Sequence, residues 1–272
     1  MEIEKITLIG GLGKNGQRDL VEKVTLHMGD VVSIVGPTGS GKTTFINDIA
    51  LFANVNTPSQ RRVFINDQIP SDDYLGDPSK NPIALITQHT NFLSDLPVQQ
   101  FLDIHARIRK TGSSSVIVEE TVEFANLLTG EPIILGSAMT ELSGGQTRAL
   151  LIADAVIIGN SPIILLDEIE NAGIHRTRAL ELLKKYRKIF IFVTHDPRIT
   201  LLSDFRIVMK GGAMQDLITT EEEERRVAEE IKKLDDLLLG FRTQIRDGGR
   251  LEERDLIERL RSLGYLAGSF PA

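Results

Sequence analysis

The stretch VVSIVGPTGSGKTTFINDIA at 31–50 constrains this chain more than any other. It fits G-x-x-x-x-G-K-[ST], with Gly36, Gly41, Lys42 and Thr43 in the fixed positions, after a β-rich run and before a helical one. Glycines let backbone N–H groups turn inward around phosphate oxygens, and the helix that follows aims its positive end at the same anion. Gly36, Pro37, Thr38, Gly39, Ser40 and Gly41 are therefore expected to cradle phosphates. Lys42 is expected to reach the β and γ phosphates, Thr43 to place its hydroxyl on Mg2+, and Thr44 to bond the α-phosphate.

Around this loop, short β-rich runs alternate with helical stretches: IEKITLI, VVSIVG, RRVFIND, PIALITQ, PIILLDE, KIFIFVTH and RIVMK. That alternation predicts an α/β sheet buried on both faces. Between Gln88 and Ser161 the pattern turns mainly helical, with VQQFLDIHARIRK, SVIVEETVEFANLL and TRALLIADAVI, which reads as a helical insert over about residues 89–160. From Thr219 the composition shifts again. Val227, Ile231, Leu234, Leu238, Phe241 and Ile245 follow one another at spacings of four and three, a coiled-coil-like seam on one helix. RDGG ends it and RLEERDLIERLRSLGYL begins a second amphipathic helix, so residues 219–272 read as an αα-hairpin appended to residues 1–218. A second glycine pattern, Gly11, Gly13 and Gly16 in GLGKNG, fits the dinucleotide fingerprint G-x-G-x-x-G. The following QRDLVEKVTLHMGD leaves little room for a crossover helix, so it is expected to be a plain glycine-rich loop.

Which phosphate-loop family this is follows from ELSGGQTRALLIADA at 141–155. Leu142, Ser143, Gly144, Gly145 and Gln146 resemble the signature motif of the ATP-binding cassette (ABC) ATPases. The order of motifs is also similar to that family: phosphate loop, Gln88 after a strand in LITQHT, signature, the Walker B run IILLDE, then His195 ending a strand in FVTHDP. The resemblance covers most of residues 3–218 and implies a P-loop NTPase of ABC type, with a mixed sheet core, an N-terminal β subdomain and a helical signature subdomain. It implies ATP and Mg2+ as cofactors and hydrolysis of ATP. Asp167 would hold Mg2+ with Thr43, Glu168 would polarise the attacking water, His195 would sense the γ-phosphate, and Gln88 would contact Mg2+ or the water. Ser143 and Gly145 open a helix whose free N–H groups suit an anion, and in this family the signature caps ATP bound to another subunit. A homodimer or heterodimer around two ATPs follows from the resemblance.

Two features depart from the family pattern. After Walker B, where a proline, a small polar pair, alanine, leucine and aspartate are usual, the chain has Ile169, Glu170, Asn171, Ala172, Gly173 and Ile174, with His175 next, which puts the usual coupling between sites in doubt. Arg148 is kept in the signature helix, but Asp154 stands where many transporters carry a basic residue, which reads as a reshaped surface or a mark of a different partner.

Composition narrows the partners. With no cysteine, disulfides and thiolate metal sites are excluded, which fits a reducing compartment, and five scattered histidines argue against a zinc site. The opening MEIEKITLIGG carries acids where an export signal would carry lysine or arginine. No apolar run approaches the ~20 residues of a membrane-spanning helix, so any membrane role needs a partner. A formal charge of -7 argues against a large nonspecific nucleic-acid surface. Two readings remain: the cytoplasmic ATPase subunit of a transporter, peripheral at the inner face of the membrane, whose permease docks near Gln88; or a soluble ABC ATPase that activates a cytosolic metalloenzyme or cofactor-assembly partner.

Residues 1–44 contain no Phe, Tyr or Trp on which adenine could stack, a place where the family usually offers a ring. GTP is therefore expected to compete with ATP better than in a typical member. Competition at equal concentrations tests this, and a strong preference for ATP contradicts it.

Overall fold

The computed structural model describes residues 2–109, 114–168 and 176–266. The chain forms two compact units, Met1–Thr220 and Glu221–Ala272. The first contains two sheets. Strands β1 (Lys5–Ile9), β2 (Lys23–His27) and β4 (Arg62–Ile65) make an antiparallel sheet in the order β2-β1-β4. Strands β3 (Val31–Val35), β5 (Ile83–Ile86), β6 (Ile163–Asp167), β7 (Ile189–Val193), β8 (Phe205–Lys210) and β9 (Ala213–Thr219) make a six-stranded sheet in the order β5-β6-β7-β3-β8-β9. Its first five members run parallel and β9 pairs antiparallel with β8.

The apolar runs are continuous because the parallel strands are covered on both faces. Ile164, Leu166, Phe190 and Phe192 face a core shared with helices α3 (Val98–Arg109), α4 (Ser114–Leu128) and α5 (Gly144–Val156). Their neighbours Ile163, Leu165, Ile189 and Ile191 face the other core, with Phe45, Ile46 and Ile49 of α1 (Lys42–Ala50) and with Ile6, Leu8 and Leu26 of the antiparallel sheet. Successive residues thus serve opposite cores, as strand geometry requires. Shorter elements complete the unit's connections, among them α2 (Asp73–Gly76), α6 (Arg176–Leu183) and α7 (Pro197–Leu202).

β1 and β2 pair antiparallel through Ile9↔Lys23, so no crossover helix follows the glycine-rich loop and the fingerprint reading of GLGKNG is excluded by topology. The loop is instead fixed by a buried charge cluster. Arg61 donates from Nε and Nη2 to the two oxygens of Asp19 at 2.9 and 2.8 Å, from Nη1 to Asp48 Oδ2 at 3.0 Å, and from Nη2 to the Gly212 carbonyl at 2.7 Å. Asp19 also accepts from the N–H groups of Gly11 and Met214. Burial opposes the charge on Arg61, but the two carboxylates outweigh it and hold its pKa above the usual value.

The second unit is an αα-hairpin. Helix α8 (Glu222–Arg246) carries the seam and α9 (Glu253–Ser262) returns along it. Arg259 donates to Gln244 Oε1 at 3.0 Å and stacks over the Phe241 ring at 4.7 Å, while Tyr265 donates to Glu230 Oε2 at 2.8 Å.

Arg61→Ala should be among the most damaging single changes in the first unit, since it leaves two buried carboxylates without their cation. Loss of about 3–5 kcal/mol is expected in denaturant unfolding. A loss under ~1 kcal/mol, the size typical of an exposed pair, would contradict the cluster's role.

Candidate functional site

Four loops leave the carboxyl ends of neighbouring parallel strands, where α/β sheets bind ligands. β3 leads into the phosphate loop, β5 into Gln88, β6 into Asp167 and Glu168, and β7 into His195. The register aligns these ends: Ile34 pairs with Val193, and Val193 with Asp167.

In the phosphate loop Gly36, Gly39 and Gly41 all adopt positive φ, at 151°, 76° and 95°. A Cβ on Gly41 would lie 2.7 Å from Gly212 Cα, and one on Gly36 would lie 2.3 Å from the Met209 carbonyl oxygen. Close approach as well as conformation therefore demands glycine at both. Lys42 is buried and donates from Nζ to the carbonyls of Gly36 at 2.9 Å and Pro37 at 3.3 Å. Ser40 Oγ is buried in the same loop without a hydrogen-bond partner among the described residues. Lys14, from the glycine-rich loop, donates to the Gly39 carbonyl at 2.8 Å, which ties that loop to the cradle's wall.

Glu168 leaves β6 in the left-handed region, with φ 51°, a conformation that costs a non-glycine residue on the order of 1 kcal/mol. Its N–H donates to the Val193 carbonyl at 3.0 Å, which holds the turn. His195 lies opposite, with Nε2 at 3.8 Å from Glu168 Oε1, and both side chains are partly open to solvent. Immediately after His195, Asp196 caps α7 by accepting from the Arg198 N–H at 2.8 Å, with Pro197 in the first turn.

Ser143 caps α5: its hydroxyl accepts from the Gln146 N–H at 3.3 Å and its own N–H donates to Gln146 Oε1 at 2.9 Å. Gln146 Nε2 also donates to the Pro132 carbonyl at 3.0 Å. The signature is thus rigid as a helix start, and Gly144 opens onto free space. One turn along α5, Arg148 Nη2 donates to the Gln88 carbonyl. Burial lowers the Arg148 pKa, and its Nη1 is buried without a hydrogen-bond partner among the described residues. The sequence marks Arg148 as the arginine kept in the signature helix but not its partner, which is 60 residues away.

Asp154 is a finding of the same kind. Instead of reshaping an exposed surface, it accepts from His105 Nδ1 at 2.7 Å in a partly buried pair that ties α5 to α3. Ile169 to His175 lie outside the described residues.

The cradle fits a nucleotide triphosphate: glycine-lined, with a buried lysine held only by carbonyls and an orphaned hydroxyl. Among the described residues no three His, Asp or Glu side chains converge on a metal. That suits Mg2+, which keeps its waters and is held by one or two protein oxygens with the substrate's phosphates. Asp167 closes β6 and Thr43 lies in the first turn of α1.

A family model described as ABC transporter matches residues 22–171. An uncharacterized ABC transporter ATP-binding protein of Methanocaldococcus jannaschii is 47% identical over 94% of this chain and 98% of its own length. The spermidine/putrescine import ATP-binding protein PotA of Legionella pneumophila is 29% identical over 75% of this chain, which spans 56% of that protein's length. A dimeric ATP-binding cassette solved in a post-hydrolysis state with ADP and Pi has a TM-score of 0.61 and 25% identity, covering 79% of this chain and 99% of that one.

Because Arg148 holds the backbone of Gln88, its loss should act through the Gln88 side chain. Arg148→Ala is expected to lower turnover of ATP about tenfold with little change in KM. In a Gln88→Ala background the same change should cost under about twofold, and additive losses would contradict the coupling.

Proposed function

Since this chain belongs to the ABC transporter family of ATP-binding, ATP-hydrolysing proteins, we propose that it is the ATPase subunit that powers a separate membrane permease. The observation that carries this reading is the alignment of Lys42, Gln88, Asp167, Glu168 and His195 along one edge of a parallel sheet. In the proposed mechanism Gly36 to Thr44 hold the phosphates, with Lys42 on the β and γ groups. Thr43 and Asp167 hold Mg2+, with Gln88 contacting it or the water. When bound, Mg2+ supplies positive charge against the phosphate oxygens. Glu168 accepts a proton from the attacking water, and His195 orients toward the γ-phosphate. Such a site accelerates by position and electrostatics more than by covalent chemistry.

Residues 1–218 form the ATPase domain in this reading, with a helical subdomain over about 89–160, and 219–272 are an appendage. Gly144 and Gly145, framed by Ser143 and Gln146, cap the γ-phosphate of ATP in a second ATPase subunit, so the working unit is a dimer with two ATPs. No described helix is long and apolar enough to cross a membrane. In this reading the permease is a separate chain, and the ATPase sits peripherally on the cytoplasmic face. Support for a docking place is exposed apolar surface: Leu93, five residues after Gln88, is fully exposed, and Ile104 and Ile108 lie exposed one turn apart on α3.

Glu168→Gln removes the proton acceptor while sparing the phosphate contacts. The variant should form an ATP-stabilised dimer by size-exclusion chromatography and lose at least ~100-fold in turnover. Captured from native cells with ATP and Mg2+, it should bring down a permease from the membrane fraction. Recovery of a soluble metalloenzyme instead would replace the transporter reading with that of an activator. A variant that stays monomeric with ATP would refute the assignment of Glu168.

A further inference from the structure

At the opposite, amino-terminal ends of β5, β6 and β7 lies an open groove of about 1070 Å3. Its floor is made by strand starts: Pro82 precedes β5, Ser161 and Pro162 precede β6, and Lys188 precedes β7. Four cations line it: Lys80, which pairs with Asp73 and Asp77, and Arg109, Arg187 and Lys188, none of which has a carboxylate partner among the described residues. Lys188 is 6% exposed and donates only to Asn160 Oδ1 at 2.7 Å and the Ser161 carbonyl at 3.0 Å. Burial lowers its pKa to about 8, so it remains largely charged at neutral pH in a place that resists the charge. Arg109 likewise meets only neutral acceptors, the carbonyls of Ser79 at 2.8 Å and Pro78 at 3.4 Å and the His105 ring at 3.4 Å. The groove's Glu2 and Glu4 are exposed at its rim, where water screens them.

An ammonium buried as that of Lys188 is, with only an amide oxygen and a carbonyl for partners among the described residues, is an unusual choice, because a neutral acceptor offsets only part of the desolvation of a charge; Arg109, half-buried, and Arg187, exposed, add their charge beside it. An anion entering the groove would complete that compensation. Guanidinium groups together with an ammonium suit phosphate oxygens. The volume is of small-molecule size, and a chain of net charge -7 disfavours long polyanions.

The groove is also connected. Arg109 Nε donates to His105 Nε2, and His105 Nδ1 meets Asp154 on α5, an arrangement that fits the neutral ring protonated at Nδ1. α5 is the helix capped by Ser143 and holding Gln88 through Arg148. We propose that this groove is an effector site for a small organic polyphosphate, and that Arg109 passes its occupancy through His105 and Asp154 to the signature helix. An anion draws the Arg109 guanidinium off His105, the tie between α3 and α5 loosens, and ATP turnover falls.

The test uses the full chain with its phosphate loop saturated by a non-hydrolysable ATP analogue and Mg2+, and inositol hexakisphosphate as the probe in isothermal titration calorimetry. Binding is expected, and Arg187→Glu and Lys188→Met should each weaken it at least about tenfold. Should Lys188→Met fail to fold, Arg187→Glu decides, since that side chain is outside the core. Absence of binding, or binding unchanged by Arg187→Glu, overturns the site. In turnover assays with ATP the probe should lower kcat at least about threefold in the wild type and leave His105→Ala, which still binds it, unaffected. Inhibition that persists in His105→Ala overturns the relay.

Discussion

The bidentate pair between Arg61 and Asp19 holds together the elements that make the phosphate loop possible. Withdrawing such charges from water costs several kcal/mol per ion, and only good geometry with every oxygen and N–H engaged recovers it. Here both oxygens of Asp19 and all three guanidinium nitrogens of Arg61 are engaged. Asp19 accepts from Arg61, Gly11 and Met214, and Arg61 reaches on to Asp48 in α1 and to the Gly212 carbonyl. Gly212 in turn lies against Gly41, so close that no side chain fits between them. One cluster thus sets the distance between the turn joining β8 to β9 and the loop that receives phosphate, and positions the glycine-rich loop beside both.

The second constraint is the register of the parallel strands. Because Ile34, Val193 and Asp167 share one row of pairings, the residues just past them emerge at one level. Glu168 then departs in a left-handed conformation held by its bond to Val193, a local strain that the sheet is rigid enough to sustain. The acid and His195 face each other across the strand ends as a result.

Much of this is legible in the sequence because it is local. The phosphate loop, the run IILLDE and the SGGQ cap each encode their geometry within a few residues, and the seven apolar runs all fall in strands. The hairpin was readable from spacing alone. β2 and β9 escaped because their alternating or edge character leaves fewer buried positions, as in KVTLH. Pairings between distant residues left no local mark. Arg61 and Asp19 are 42 residues apart, His105 and Asp154 are 49, and nothing in either neighbourhood distinguishes these side chains from solvated ones.

The lysine of the phosphate loop has a consequence of its own. Lys42 does not wait as a flexible side chain in water; it is already immobilised on the carbonyls of Gly36 and Pro37. Its loss of rotamer freedom, on the order of 1.5–2 kcal/mol for a lysine, belongs to folding rather than to association. In the proposed mechanism an arriving triphosphate exchanges two carbonyl oxygens for its own, stronger acceptors, so recognition begins from a preorganised cation and is governed by swapping partners instead of ordering the chain.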